Sequence, residues 1–150
     1  MSDLTSERRQ STGWTGYAAC VWSVLFALPH VYWAAGGTAG FDGREMSGVL
    51  IAINLVAIVL SVIAAIVALA TVQRWGERVP DRLLQSAIWS ACLLLTLRGG
   101  AGLIQTIVGQ GEQSTLVMIF EPTFLIGGAL FGALGIAFLR EARTNRQSHG

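Results

Sequence analysis

Four polar residues stand inside otherwise apolar stretches of this 150-residue chain, and each of them has side-chain chemistry to offer there. They are His30, Asn54, Arg98 and Glu121. An imidazole and a carboxylate exchange protons, while a guanidinium binds carboxylate or phosphate oxygens through a planar set of N–H donors. Arg98 is the most informative of the four, because a charge within an apolar run long enough to cross a bilayer is costly and needs a partner.

Several common kinds of active site are excluded by residue type or spacing. All ten basic residues are arginine, so the chain has no lysine for a Schiff base or a P-loop. The glycine-rich stretch is therefore expected to be a flexible connection rather than a phosphate cradle; its glycines are Gly36, Gly37, Gly40 and Gly43. Cys20 and Cys92 form no CxxC pair, and we interpret them as small apolar packing residues.

Metal and haem sites also lack ligands in the sequence. A haem held by two histidines needs a second intramembrane histidine besides His30, whereas His149 lies in the C-terminal tail. One histidine and one glutamate are too few ligands for a metal. A single chain is therefore predicted to bind neither a metal nor a cofactor.

Composition indicates the class of protein. The chain is 53% hydrophobic and only 13% charged, and its mean hydropathy is +0.57. These values are far from those of a soluble domain and indicate a membrane protein. The net charge of +1 provides no basic field for nucleic acid, so the lipid bilayer is the expected partner.

Four apolar segments are long enough to cross a bilayer as helices, since a span needs about 20 residues at about 1.5 Å rise each. They are residues 14–35, 48–72, 83–108 and 116–139. We expect one transmembrane domain over 14–140, flanked by cytoplasmic tails at 1–13 and 141–150. The first span is expected to be retained rather than cleaved as a secretory signal, because Tyr32 or Trp33 would occupy a cleavage-site position that must be small.

The arginines are distributed unequally among the segments outside the spans. Eight lie in the N-terminal tail, the second connection and the C-terminal tail: Arg8, Arg9, Arg74, Arg78, Arg82, Arg140, Arg143 and Arg146. The first connection has only Arg44, beside Asp42 and Glu45, and the third has none. By the positive-inside rule both termini are cytoplasmic. The predicted fold is an all-α, multi-pass bundle of four transmembrane helices in the cell (inner) membrane.

The four polar residues lie at similar depths in this predicted arrangement. Counted from the cytoplasmic end of each span, His30 and Arg98 lie about 24 Å, Glu121 about 28 Å and Asn54 about 30 Å along their helices. All four fall in the outer half of the bundle. This agreement between four separate helices predicts a shared site.

The sequence also predicts which face each helix turns to its neighbours, because the inward faces of membrane bundles carry small or polar residues at spacings of three and four. The small faces of the first, second and fourth spans include His30, Asn54 and Glu121. In the third span Ala87, Ala91, Leu94, Arg98, Gly102 and Gln105 lie within one broad face, and in the fourth Gly128 and Gly132 form a GxxxG pair. The predicted pocket, near the outer end of the bundle, comprises His30, Asn54, Arg98, Glu121, Tyr32, Trp33 and Gln105.

Two prolines are expected to make the backbone near this pocket irregular. Pro29 precedes His30 and Pro122 follows Glu121, and each proline lacks a backbone donor. Two starts remain open for the fourth helix. In one alternative the helix starts near Pro122 and Glu121 lies on an interfacial segment. In the other it starts near Ser114 and bends at Pro122.

Each polar residue also has a purely structural interpretation. In the structural interpretation, Arg98 and Glu121 form one ion pair that fixes how the third and fourth helices pack. Removal of one partner then leaves the other charge buried and unpaired, which lowers the free energy of unfolding by about 3–5 kcal/mol. His30 is then a hydrogen-bonded interior histidine, and Asn54 joins two helices through a hydrogen bond.

Three strings of residues carry a resemblance to a known family. The first helix has Pro29, His30, Tyr32, Trp33, Gly36 and Gly37, the third has Arg98, Gly99 and Gly100, and the fourth has Glu121, Pro122, Phe124, Gly127 and Gly128. Over about residues 14–140 the chain resembles a bacterial family of small four-helix membrane proteins catalogued as domain of unknown function 3995. The resemblance implies the same topology and motif positions. It implies no particular activity.

Three functions remain open for the predicted pocket. The leading hypothesis is a non-enzymatic membrane protein that binds a small ligand or serves as an accessory subunit of a membrane protein partner or homo-oligomer, because the pocket has no nucleophile, metal set or cofactor motif. The second is a membrane enzyme in which His30 or Glu121 is the acid or base and Arg98 clamps an anionic lipid or quinone-like head group. The third is transport of protons or small solutes by an oligomer.

The predicted topology places Thr38 outside the cell and Thr144 in the cytoplasm. In intact cells, a membrane-impermeant maleimide should therefore label Thr38→Cys and leave Thr144→Cys unlabelled until the cells are opened. Labelling of position 144 from outside would show that the orientation is reversed.

Overall fold

The fold consists of four long α-helices in a computed structural model that describes residues 2–39, 47–109 and 115–147. The helices are α1, Ser2–Ala34; α2, Gly48–Ala70; α3, Asp81–Ile107; and α4, Thr115–Gln147. A short 3₁₀ helix, Arg74–Arg78, lies between α2 and α3. The described residues thus confirm the predicted all-α, four-helix architecture.

Each helix contains a segment that is long and apolar enough to cross a membrane. These segments are Gly13–Ala34, Gly48–Ala70, Asp81–Ile107 and Phe120–Arg143, and they agree with the four predicted spans to within a few residues. α4 already begins at Thr115 and contains Pro122. Of the two expected starts the earlier one is therefore correct, although Ser114 itself lies outside the described residues.

A defined turn ends α1. Gly36 has a backbone φ of 92°, which favours glycine because other residues clash in that region. Its N–H donates to Trp33 O and the N–H of Gly37 donates to Tyr32 O, both at 3.0 Å, which are the two hydrogen bonds of a Schellman motif. Gly36 and Gly37 are therefore a helix terminator rather than part of a flexible connection. The other glycines of that stretch, Gly40 and Gly43, lie outside the described residues.

The helices pack as an antiparallel bundle. α1 packs against α2 and α4, α3 packs against α4, and α2 makes a smaller contact with α3. Small residues allow the close approach. A Cβ atom added at Gly16 would meet the side chains of Val72 and Thr71 on α2, and one added at Gly128 would meet Thr96 on α3.

The predicted inward faces of α1, α2 and α4 agree in part with the buried residues, although His30 itself is only half-buried. Ser23, Asn54, Ser61, Glu121 and Gly128 are all buried. Ser23 and Ser61 satisfy their hydroxyl groups by donating to the carbonyl four residues earlier, so neither needs a partner on another helix.

The predicted inward face of α3 is wrong by about one residue. Its buried residues are Leu84, Ile88, Gly99 and Gly102, whereas Leu94 is 60% exposed and Gln105 is also exposed. Small residues and glycines occur on more than one side of this helix, so the pattern of small residues does not define a single face. Arg98 lies beside the buried face rather than on it.

The interior and the exterior of the bundle are both apolar. Ala19, Ala68, Ile88, Phe131 and Leu134 form the fully buried core, and Cys20 and Cys92 pack against it as free thiols. Large aliphatic side chains such as Val49, Ile53 and Ile104 are at least 60% exposed. An exterior this apolar is typical of a surface that contacts lipid rather than water.

The two glycines of the GxxxG pair are expected to differ in their tolerance of a methyl group. At Gly128 an added Cβ overlaps Thr96 Oγ1, whereas at Gly132 the nearest atom is Cys92 Sγ at 3.4 Å, an ordinary contact. Gly128→Ala should lower the free energy of unfolding in mixed micelles by about 1–3 kcal/mol, and the control Gly132→Ala should lower it by less. Equal effects would contradict the packing described for α3 and α4.

Candidate functional site

Arg98 and Glu121 form an ion pair between α3 and α4. The Nη1 atom of Arg98 donates to both carboxylate oxygens of Glu121, at 2.9 Å to Oε1 and 3.2 Å to Oε2. This is the ion pair between the third and fourth helices that the structural interpretation of the sequence expected. Because one nitrogen makes both bonds, the Nε and Nη2 donors of the guanidinium have no hydrogen-bond partner among the described residues.

Glycines on α3 make room for this pair. A Cβ atom at Gly102 would overlap the carboxylate of Glu121, and one at Gly99 would lie 3.0 Å from Phe124 Cβ and from Leu125. Gly99 and Gly102 therefore let α4 approach closely enough for Glu121 to lie against the backbone of α3. Gly100, which comes between them, has nothing within 4 Å of its Cβ position.

The two charges of the pair differ in exposure. The side chain of Glu121 is only 8% exposed, whereas that of Arg98 is 54% exposed. The guanidinium also lies over the Phe124 ring, with Cζ 4.9 Å from the ring centroid, which is within the range of a cation–π contact. The carboxylate is therefore held inside the bundle, and the arginine extends across Phe124 from the surface.

His30 and Asn54 form a second contact, between α1 and α2. The Nδ2 amide of Asn54 donates to the backbone carbonyl of His30 at 2.7 Å. Asn54 is 5% exposed, so this bond satisfies a donor that would otherwise be buried without a partner. The structural interpretation of Asn54 as a link between two helices is confirmed.

The imidazole of His30 is held by its own helix. Its Nδ1 lies 2.9 Å from Phe26 O, and since a carbonyl oxygen only accepts, Nδ1 carries the proton of this bond. The ring lies 6.0 Å from the Phe120 ring at an interplanar angle of 90° and 5.5 Å from the Trp33 ring. Nε2 of the neutral imidazole is thereby left as an acceptor.

Aromatic rings connect the two polar contacts. Phe26 of α1 lies 5.1 Å from Phe124 and 4.8 Å from His30 between ring centroids, and Phe124 in turn lies under Arg98. All four predicted polar residues are thus at the same end of the bundle. The His30 ring, however, makes no hydrogen bond to the Arg98–Glu121 pair within the part of the chain that the structure describes.

The sequence analysis did not identify this aromatic column as part of the site. Its α1 members are Trp22, Phe26, His30 and Trp33, and its α4 members are Phe120, Phe124 and Phe131. The signal that could have found it is the helical spacing of these rings, which is four, four and three residues on α1 and four and seven residues on α4. The Trp22 ring occupies the space over Gly127, which a Cβ atom would fill, and its buried indole N–H has no hydrogen-bond partner among the described residues.

The remaining predicted pocket residues lie at the rim of this end. Trp33 donates through Nε1 to Ala39 O at 3.0 Å, and the half-exposed Tyr32 ring covers Gly37. Both therefore secure the turn that follows α1. Gln105 is exposed on α3, and no described contact brings it to the Arg98–Glu121 pair.

A cleft of about 520 Å³ lies at the opposite end of the bundle. Its lining includes Tyr17, Gln73, Glu77, Asp81 and Glu141, and Gln73 Nε2 donates to the Tyr17 hydroxyl at 3.2 Å. The pocket predicted from the polar residues is thus a different place from this cleft. Nor does the described part of the chain contain a group of three or more His, Cys, Asp or Glu side chains placed to hold a metal.

The unequal burial of the ion pair predicts unequal effects of removing its partners. Arg98→Met leaves the buried Glu121 carboxylate without a cation and should cost about 3–5 kcal/mol of unfolding free energy. Glu121→Gln leaves an arginine whose long side chain extends toward the head groups, so it should cost less, about 1.5 kcal/mol. The double variant, measured in the same detergent titration, should be more stable than Arg98→Met alone; equal losses in the two single variants would contradict the asymmetry.

Comparison with known proteins identifies a family. A family described as "Protein of unknown function (DUF3995)" matches residues 23–131 of the chain, a stretch that contains the Arg98–Glu121 pair and the His30–Asn54 contact. No curated protein and no solved structure matches the chain. Because the match covers more than two thirds of the 150 residues, the chain belongs to the DUF3995 family.

Proposed function

We propose that this chain is a non-enzymatic, multi-pass protein of the cell membrane, with both termini in the cytoplasm, that binds a small ligand or a membrane protein partner through Arg98. In this proposal the described Arg98–Glu121 pair is the centre of the binding site. Glu121 is a positioning residue, since it holds one guanidinium nitrogen and leaves the others available.

The half-exposed guanidinium of Arg98 is the observation that supports this function best. A charged side chain on the exterior of a membrane-spanning helix is unfavourable unless it is covered by a polar group. Glu121 accepts only from Nη1, so two further nitrogens of Arg98 require acceptors. A purely structural ion pair would leave these donors unsatisfied in lipid.

A second candidate, a membrane enzyme with His30 as the base, is favoured by one observation. Nδ1 of His30 donates to Phe26 O, and this fixes the tautomer whose Nε2 accepts a proton. The described ring contacts of His30 are with Phe26, Trp33 and Phe120, and no described hydrogen bond joins the imidazole to the Arg98–Glu121 pair. We therefore rank the enzyme below the binding protein.

Co-purification tests the binding function. The full-length protein extracted in mild detergent should carry a ligand or partner detectable by mass spectrometry, and Arg98→Ala should lose it because the guanidinium makes the contact. Arg82→Ala is the matched control, as it removes one positive charge from the other end of the same helix. Circular dichroism establishes that each variant is folded. Identical sets of bound molecules in all three proteins would refute the proposal.

A further inference from the structure

We infer that the free edge of the Arg98 guanidinium binds the phosphate group of a membrane lipid in the outer leaflet. This inference rests on the proposed function and names the chemical class of its ligand. Arg98 has three features that favour such a ligand: its unused donors, its apolar surroundings and its depth.

The unused donors of Arg98 fit a phosphate. Nη1 is occupied by both oxygens of Glu121, whereas Nε and Nη2 have no acceptor among the described residues. These two nitrogens form one edge of a planar guanidinium, and that edge matches two oxygens of a phosphate or carboxylate. Because Glu121 is only 8% exposed, it occupies the buried side of the group and cannot also cover the exposed part.

The surface around Arg98 favours a lipid over a soluble anion. On α3, Leu94 lies one turn before Arg98 and Leu97 immediately before it, and each is 60% exposed; Ile104, further along the helix, is 62% exposed. Such a surface contacts acyl chains. Between Arg98 and Phe120 the sequence contains one acidic residue, Glu112, and it lies outside the described residues.

The depth of Arg98 allows the contact. Arg98 follows Arg82 by sixteen residues, or about 24 Å of helix, in a hydrocarbon layer about 30 Å thick. With Arg82 at the inner boundary, the backbone of Arg98 lies about 6 Å below the outer boundary. A long arginine side chain spans such a distance by extending toward the head groups.

Native mass spectrometry of the full-length protein in a non-ionic detergent tests this inference. Phosphatidylglycerol and phosphatidylethanolamine are titrated against a diacylglycerol with the same acyl chains, which lacks the phosphate. Wild-type protein should retain one phospholipid at least about tenfold more tightly than diacylglycerol, because charge-assisted hydrogen bonds contribute at least that factor. Equal retention of diacylglycerol would overturn the inference.

Variants locate the bound lipid. Arg98→Gln should weaken phospholipid retention about tenfold, while the charge-matched Arg82→Gln should not; equal losses would indicate a net-charge effect and overturn the inference. If Arg98→Gln does not fold, Arg98→Gln combined with Glu121→Gln leaves no stranded carboxylate and should show the same loss.

Other ligands give distinct results. Inorganic phosphate that displaces the lipid at low millimolar concentration would identify a free anion as the ligand, and an Arg98-dependent dimer without lipid would identify a second copy of the chain; either result overturns the inference. In a further outcome, Arg98→Gln loses a co-purifying molecule that contains no phosphate but retains phospholipid as the wild type does. That result would support the proposed function and refute the lipid inference. If no bound molecule depends on Arg98, both fail.

Discussion

A carboxylate buried between two helices is the constraint on which this end of the bundle depends. Glu121 is 6% exposed, and its charge is compatible with such a place only because Arg98 donates to both of its oxygens. The pair in turn requires Gly102, whose missing side chain provides the space for the carboxylate. The contact between α3 and α4, the ion pair and the glycines are thus a single interdependent unit.

A column of aromatic rings extends that unit to α1. Phe124 lies under the guanidinium and beside Phe26, and Phe26 in turn accepts the hydrogen bond from the His30 imidazole. The backbone of His30 then binds Asn54 of α2. The four helices are therefore connected at this end by alternating ionic, aromatic and amide contacts, of which only the ionic one involves formal charge.

Much of this arrangement could be predicted from the sequence, and the failures have physical reasons. Length and hydropathy were sufficient for the helices, and small residues at helical spacing were sufficient for the faces that contain Asn54 and Glu121. The face of α3 was misplaced because its glycines and alanines occur on several sides, and because a long arginine reaches a partner from beside the packed face. The aromatic column was not predicted, because aromatic residues are common in apolar helices. Their contacts with rings on another helix depend on how the helices pack, which the sequence does not show directly. The defined turn at Gly36 depends on a positive φ, which composition alone does not reveal.

The unequal contacts between helices bear on how the protein is made. Pairs adjacent in sequence, α1 with α2 and α3 with α4, share extensive contacts, whereas α2 touches α3 only slightly and α1 joins α4 across the bundle. Each hairpin therefore completes most of its packing from neighbouring parts of the chain, which favours rapid local association. The contact between α1 and α4, with its aromatic rings, joins residues that are far apart in the chain, and such contacts form more slowly than local ones. We therefore expect each hairpin to pack internally before α1 and α4 join the two hairpins into one bundle.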